Sequence, residues 1–398
     1  MAKTFVTDPQ QGTRVPFLRG ILTRSLQDAG LRFDEAYELA SSIRQDLGEV
    51  EHITTDQLRD RVLQVLHKQY GAQVVKRYQT PNHPVVPILV RDPDGQVAPF
   101  SRAKHQRCLQ FCGLPNEKAA ALTDKIYRHL LEKGVGEIDS QHLGHLTYRI
   151  LHQEQGAEVA ERYLMWTHFR HSGRPLILLI GGTSGCGKST IATDLANRLE
   201  IVRTQSTDML REVMRMMIPQ RLLPVLHVSS FSAWQTLPEP AHAADPDALL
   251  ADGFRTQAEL LSVPCEAVIQ RSLRERVSLI LEGVHVQPAL LDRIPDGTEA
   301  VVVPIMLAVL KPEALRLRIR GRGTHAPQRR SERYLENFDG IWRLQSYLLS
   351  EADRAGMTII PNDDKEKVVS QVIRLIINQL KPGFSATPRE VFRAAPST

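Results

Sequence analysis

Residues 176–180 are an unbroken run of leucine and isoleucine, and the chain passes almost directly from it into Gly182, Thr183, Ser184, Gly185, Cys186, Gly187, Lys188, Ser189 and Thr190. A short, wholly apolar run is the pattern of a parallel strand covered on both faces. Gly182 through Ser189 completes the spacing G-x-x-x-x-G-K-S, which binds phosphate when a strand precedes it and a helix follows. Glycines let successive backbone N–H groups close around phosphate oxygens. Lys188 brings an ammonium to the β- and γ-phosphates and so to the transfer itself, and the Ser189 hydroxyl suits Mg²⁺. Positions 191, 192, 195, 196 and 199 are apolar at helical spacing, so the loop opens onto a helix N-terminus whose partial positive charge favours an anion. The nine residues from Gly182 to Thr190 are therefore the expected nucleotide cradle, with ATP and Mg²⁺ as cofactors. Cys186 reads as a small residue the loop tolerates.

Four further strands are expected, at 201–204, 277–281, 300–305 and 357–360, each followed by helical pattern. After the first come Asp208, Arg211 and Arg215. In phosphoryl transfer to a hydroxyl, a carboxylate orients the acceptor and takes its proton, so Asp208 is the expected base and Arg211 and Arg215 the expected anion clamps. A helix N-cap is the alternative role for Asp208. After the second lie Glu282, Gly283 and His285. An acid closing an apolar strand suits a Mg²⁺ or water contact, and His285 could hydrogen-bond an anionic acceptor. Helices are expected at 341–352 and 365–380, residues 219–246 as a partly irregular substrate-side insertion, and residues 382–398 as a flexible tail.

Fifty basic against forty-five acidic residues give a net charge of +5. The excess is local. From Arg316 to Arg333 run seven arginines against the single acid Glu332. A compact arginine cluster suits a few phosphate groups better than a long polyanion, so a nucleic-acid partner is not expected. Arg320, Arg322, Arg329, Arg330 and Arg333 are the expected acceptor-binding residues, placed where a lid could close over the transferring group. The four cysteines have neither disulfide-framework nor zinc spacing. No apolar run approaches the ~20 residues of a bilayer span, and a cytoplasmic protein without a membrane partner is expected.

The first half repeats itself. Pro16, Phe17 and Arg19 correspond to Pro99, Phe100 and Arg102, and Gly30 and Leu31 to Gly113 and Leu114. After a two-residue insertion, Leu66, Gly71 and Tyr78 correspond to Leu151, Gly156 and Tyr163. Domains are expected at 1–84, 85–172 and 173–381. In their short strand, turn and Pro-Phe before the first helix, both copies resemble ATP-cone domains; the second adds Arg91, Asp92, Asp94 and Gly95 at its hairpin. That likeness implies a regulatory nucleotide on the repeats, with helical spacers or assembly surfaces for a homo-oligomer as the other reading.

The cradle, the stretch from Thr207 to Arg215, residues 226–230 and residues 280–285 together resemble the 2-phosphoglycerate kinase family. The resemblance implies an α/β P-loop NTPase fold, a nucleotide-kinase-like parallel five-stranded sheet with helices on both faces, preceded by two mostly helical ATP-cone-like repeats. It implies ATP- and Mg²⁺-dependent phosphorylation of 2-phosphoglycerate to 2,3-bisphosphoglycerate. A kinase of another small anionic metabolite, such as an inositol phosphate, and a nucleotide-sensing regulator without an acceptor are the alternatives.

Overall fold

The structure is a computed structural model that describes residues 4–8, 13–48, 50–79, 88–238, 245–295, 297–325 and 331–392. It forms two compact units, 1–88 and 89–398.

In the first unit, β1 (Phe5–Asp8) and β2 (Thr13–Pro16) make a hairpin, and β3 (His52–Thr54) adds to β1 in parallel, giving the order β2-β1-β3. Helices α1 (Arg19–Asp28), α2 (Phe33–Leu47), α3 (Thr55–Gln69) and α4 (Ala72–Gln79) complete it. The α2 helix buries Ala36, Leu39, Ala40, Ile43 and Leu47, one face at a spacing of three and four. Thr54 caps α3 by accepting from the Gln57 N–H while Gln57 Oε1 accepts from the Thr54 N–H, so two backbone donors are satisfied at the helix start.

The second unit opens with the same device. Strands β4 (Leu89–Arg91), β5 (Val97–Pro99) and β6 (Glu137–Asp139) take the order β5-β4-β6, with β4 antiparallel to β5 and parallel to β6. Helices α5 (Arg102–Phe111), α6 (Asn116–Glu132), α7 (Ser140–Gln155) and α8 (Ala157–His171) follow. The sequence repeat is thus a repeat of fold, and the equivalent Arg19 and Arg102 each lie over a tyrosine ring, although the two tyrosines stand at different positions along α2 and α6. Arg19 lies 4.3 Å over the Tyr37 ring and bonds Ser41; Arg102 lies 4.1 Å over the Tyr127 ring and pairs with Asp124.

The rest of this unit is a five-stranded, all-parallel sheet of order β11-β10-β7-β9-β8. Its strands are β7 (Leu176–Gly181), β8 (Arg203–Ser206), β9 (Leu279–Glu282), β10 (Val301–Ala308) and β11 (Thr358–Pro361). The connecting helices are α9 (Lys188–Leu199), α10 (Thr207–Met217), α11 (Pro246–Arg274), α12 (Pro312–His325), α13 (Ser331–Glu336), α14 (Phe338–Arg354) and α15 (Lys365–Phe384). Among them α9 packs with α15 and α11 with α14. Central β7 is buried along its whole length, each Leu or Ile contributing about 1.5–3 kcal/mol of hydrophobic stabilisation.

Two expectations need correction. The strand expected at 201–204 lies at Arg203–Ser206, because Glu200 ends α9 in the left-handed conformation and Ile201 folds back, its N–H donating to the Ala196 carbonyl at 2.9 Å. Helices α5 and α8 share a core with the sheet. Phe111, Met165, Trp166 and Phe169 belong to the same buried cluster as β7, with the Phe111 and Trp166 rings 3.9 Å apart. Residues 382–392 are not a loose tail. The α15 helix continues through Phe384, a last turn α16 (Pro388–Val391) follows, and Phe384, Val391 and Phe392 are buried against α7 and α8. Residues 393–398 lie outside the described residues. No helix among the described residues is long and apolar enough to cross a membrane.

Candidate active site

The turn between β7 and α9 is built so that only glycine fits at several positions. Gly182, Gly185 and Gly187 have φ of 136°, 90° and 90°. A Cβ on Gly182 would stand 2.5 Å from the Leu307 carbonyl oxygen, and one on Gly187 2.5 Å from Asn362 Nδ2. The loop is therefore held from behind by the ends of β10 and β11. Asn362 clamps it, donating from Nδ2 to the Cys186 carbonyl at 2.7 Å while its own N–H donates to Ala308. Lys188 is buried, and its Nζ donates to the Thr183 carbonyl at 2.9 Å. Thr183 and Cys186 are buried beside it, and Ser184, Ser189 and Thr190 complete the turn and the first residues of the helix.

Strand register sets the other half. Glu282 is level with Ile180 on one side and Ser206 on the other, so the loop, the acid and the start of α10 stand abreast at the carboxyl end of the sheet. There Ser189 Oγ donates to Glu282 Oε1 at 2.9 Å. Glu282 is 8% exposed, and a buried carboxylate beside a hydroxyl is a pair of hard oxygen donors. Among the described residues no group of three or more His, Cys, Asp or Glu could hold a metal. A Mg²⁺ site does not need one. That ion is usually held by one or two protein oxygens with phosphate and water supplying the rest, so Ser189 and Glu282 fit it.

On α10 the cap is Ser206, whose Oγ accepts from the Asp208 N–H at 3.2 Å, so Asp208 is not the N-cap. Its carboxylate is freely accessible and lies 3.7 Å from Arg211 Nη2. Arg211 is mostly buried and donates from Nη1 to the Val228 carbonyl at 2.5 Å; Arg215 pairs with Glu212 at 2.8 Å. In both arginines Nε is buried without a partner among the described residues. Segment 219–246 carries two short 3-10 turns, Pro224–His227 and Ser230–Thr236, and residues 239–244 lie outside the described residues.

His285 is not a free acceptor ligand. It is buried, with Nδ1 3.1 Å from Thr207 Oγ1 and Nε2 2.9 Å from Gln257 Oε1 and 3.1 Å from Ser230 Oγ, so both ring nitrogens are engaged. Burial pushes its pKa from 6.5 down to about 3; Asp208 opposes the shift, and Arg211 and Lys188 add to it. All three charged groups therefore stand close to one imidazole.

The sign of the resulting pH dependence follows. The unfolded imidazole takes up a proton near 6.5 that the folded one refuses until about 3, so this contribution is complete above pH 6.5 and lost as pH falls through that window. Stability should fall by about 2 kcal/mol between pH 7 and pH 5 on this account. Half-buried His105, lowered by desolvation to about 4, acts in the same direction. Urea unfolding at the two pH values checks it. His285→Asn should flatten the dependence, and an unaltered slope would contradict the assignment.

The arginine cluster is only partly gathered at the site. Arg320 and Arg333 are exposed and neither hydrogen-bonds to the loop; Arg322 falls on α12, and Arg329 and Arg330 lie outside the described residues. Arg316 is taken up over the Phe338 ring at 4.2 Å. The member that reaches the cradle is Arg318, which donates to the Asn362 carbonyl and whose Nη1 lies 3.7 Å from where a Gly187 Cβ would be. Sequence reasoning had not singled out Arg318, Asn362, Thr207, Ser230 or Gln257. Two of them carried a signal. Asn362 directly follows a strand end, where ligands gather in parallel sheets, and Gln257 is an amide on the buried stripe of Leu250, Phe254 and Leu261.

The chain is similar to several known proteins. The ATP cone domain family model matches residues 88–172. The 2-phosphoglycerate kinase of Thermococcus kodakarensis is 36% identical over 295 residues, covering 74% of this chain and 98% of that protein. Its counterpart in Pyrococcus furiosus is 34% identical over 293 residues, covering 73% and 94%, and that of Methanopyrus kandleri 36% over 287 residues, covering 72% and 86%. The solved shikimate kinase from Acinetobacter baumannii aligns with 53% of this chain and 97% of that one, at 14% identity and a TM-score of 0.32.

Proposed function

The chain belongs to the 2-phosphoglycerate kinase family and is a phosphotransferase, and on that footing we propose that it transfers the γ-phosphoryl group of ATP to the free hydroxyl of 2-phosphoglycerate, giving 2,3-bisphosphoglycerate. The observation that carries this reading is the Ser189–Glu282 pair at 2.9 Å, flanked by the lysine of the loop on one side and by Asp208 and Arg211 on the other.

The roles follow from chemistry. Backbone N–H groups of residues 182–190 and the Lys188 ammonium hold the phosphates and offset charge as the bond to the leaving oxygen lengthens. Mg²⁺ held by Ser189 and Glu282 would neutralise phosphate charge. Asp208 orients the acceptor hydroxyl and takes its proton as that oxygen bonds to phosphorus and ADP departs. Arg211 and Arg215, whose Nε atoms lack partners among the described residues, bind the phosphate and carboxylate of the acceptor. The second repeat, which the cone model matches, is the module for a regulatory nucleotide.

The test offers γ-labelled ATP with Mg²⁺ against a panel of phosphorylated acids and inositol phosphates. Label should move to 2-phosphoglycerate well ahead of every other acceptor. Transfer to another member of the panel would replace the acceptor, and nucleotide binding without transfer would make the chain a sensor.

A further inference from the structure

The contacts of His285 define its tautomer. Gln257 donates from Nε2 to two backbone carbonyls, Val225 at 2.5 Å and Val228 at 3.2 Å, so the amide's orientation is fixed and it is the acceptor Oε1 that faces His285. His285 Nε2, 2.9 Å from that oxygen, must carry the proton. Nδ1 is then the acceptor, and the Thr207 hydroxyl donates to it across 3.1 Å. Ser230 Oγ, 3.1 Å from Nε2, accepts a share of the same hydrogen. The Phe254 ring lies parallel to the imidazole at 6.0 Å and closes off one side.

Followed onward, the connections form a circuit. Thr207 begins α10. From it the chain of contacts runs through His285 and Gln257 to the Val228 carbonyl, which also accepts from Arg211, back on α10 one turn after Thr207. Asp208 sits between the two points where the circuit meets the helix. Gly283 makes it possible, since a Cβ there would collide with the Thr207 side chain.

We propose that His285 is a positioning residue, a neutral Nε2–H hub that ties segment 225–230 and the first turn of α10 to the end of β9 and thereby sets Asp208 and Arg211 toward the acceptor. The proposal rests on the reading of those two residues as acceptor-side groups. It gives a buried imidazole that touches no substrate a role in acceptor use alone, because the nucleotide cradle is held separately, by Asn362.

The experiment compares Thr207→Val, nearly isosteric but without the hydroxyl, with Thr207→Ser, which keeps it. Thr207→Val should lower kcat/KM for the acceptor about tenfold or more, the result of an unsatisfied buried acceptor and a displaced carboxylate, with KM for ATP unchanged. Thr207→Ser should restore most of the loss. Equal kcat/KM in Thr207→Val and wild type, or a loss that serine does not repair, overturns the proposal. Histidine-selective ¹⁵N NMR of the unmodified protein at neutral pH supplies a readout independent of any acceptor. It should show His285 protonated at Nε2 and bare at Nδ1, and a proton on Nδ1 overturns the hub even if the kinase reading stands. A protein that transfers phosphate to no acceptor but shows that tautomer refutes the kinase reading and leaves the circuit intact.

Discussion

Lys188→Ala should lower phosphoryl transfer by about 10³-fold, the scale on which loss of a positioned transition-state donor is felt, while leaving thermal stability equal or higher. The two halves of that expectation come from one fact. The Lys188 ammonium is buried, its oxygen partner is the neutral Thr183 carbonyl, and no carboxylate pairs with it among the described residues. An unpaired buried charge costs folding energy, so its removal relieves the fold. What it provides is a preorganised positive charge where anionic oxygens are to sit. Steady-state kinetics and a melting curve on the same variant read both halves. Lost activity accompanied by a large fall in melting temperature would instead make Lys188 a structural residue.

Asp208→Asn should lower kcat by about 10²–10⁴-fold, the usual contribution of a positioned general base, with ATP affinity unchanged. The side chain caps nothing, since Ser206 does that work, and its ion-pair partner among the described residues is Arg211 at 3.7 Å. The substitution keeps shape and removes the site for the acceptor proton. Stability should stay within about 0.5 kcal/mol, as for a surface position free of special contacts. Retention of wild-type kcat would mean that another group receives that proton.

How much of this was legible in the sequence depended on how local the physics is. The cradle could be read outright, because strand, glycines, lysine and helix are contiguous and each residue type has a single physical purpose. The pairing of Ser189 with Glu282 could be read as a class, an acid closing an apolar strand, although their approach to 2.9 Å depends on β9 lying next to β7. His285 was legible only as a histidine near a strand end. Its partners Thr207, Ser230 and Gln257 lie 78, 55 and 28 positions away, and no spacing rule reaches that far. Charge density misled in a related way. Along the chain the arginines after Arg316 look like one surface, but a helix sends neighbours in different directions. Arg316 covers a phenylalanine, Arg318 reaches the cradle and Arg320 faces solvent. Residues 382–392 depart from the expected tail because Phe384, Val391 and Phe392 supply the apolar area that docks them.

One crevice is expected to hold a triphosphate and a small anionic acceptor side by side. A crystal structure with a non-hydrolysable ATP analogue, Mg²⁺ and 2-phosphoglycerate tests it most directly. The β- and γ-phosphates should lie within the backbone amides of residues 183–189, the cation against Ser189 and Glu282, and the acceptor hydroxyl facing Asp208 with its phosphate on Arg211. An acceptor bound away from Asp208, or phosphates seated outside the glycine loop, would contradict it.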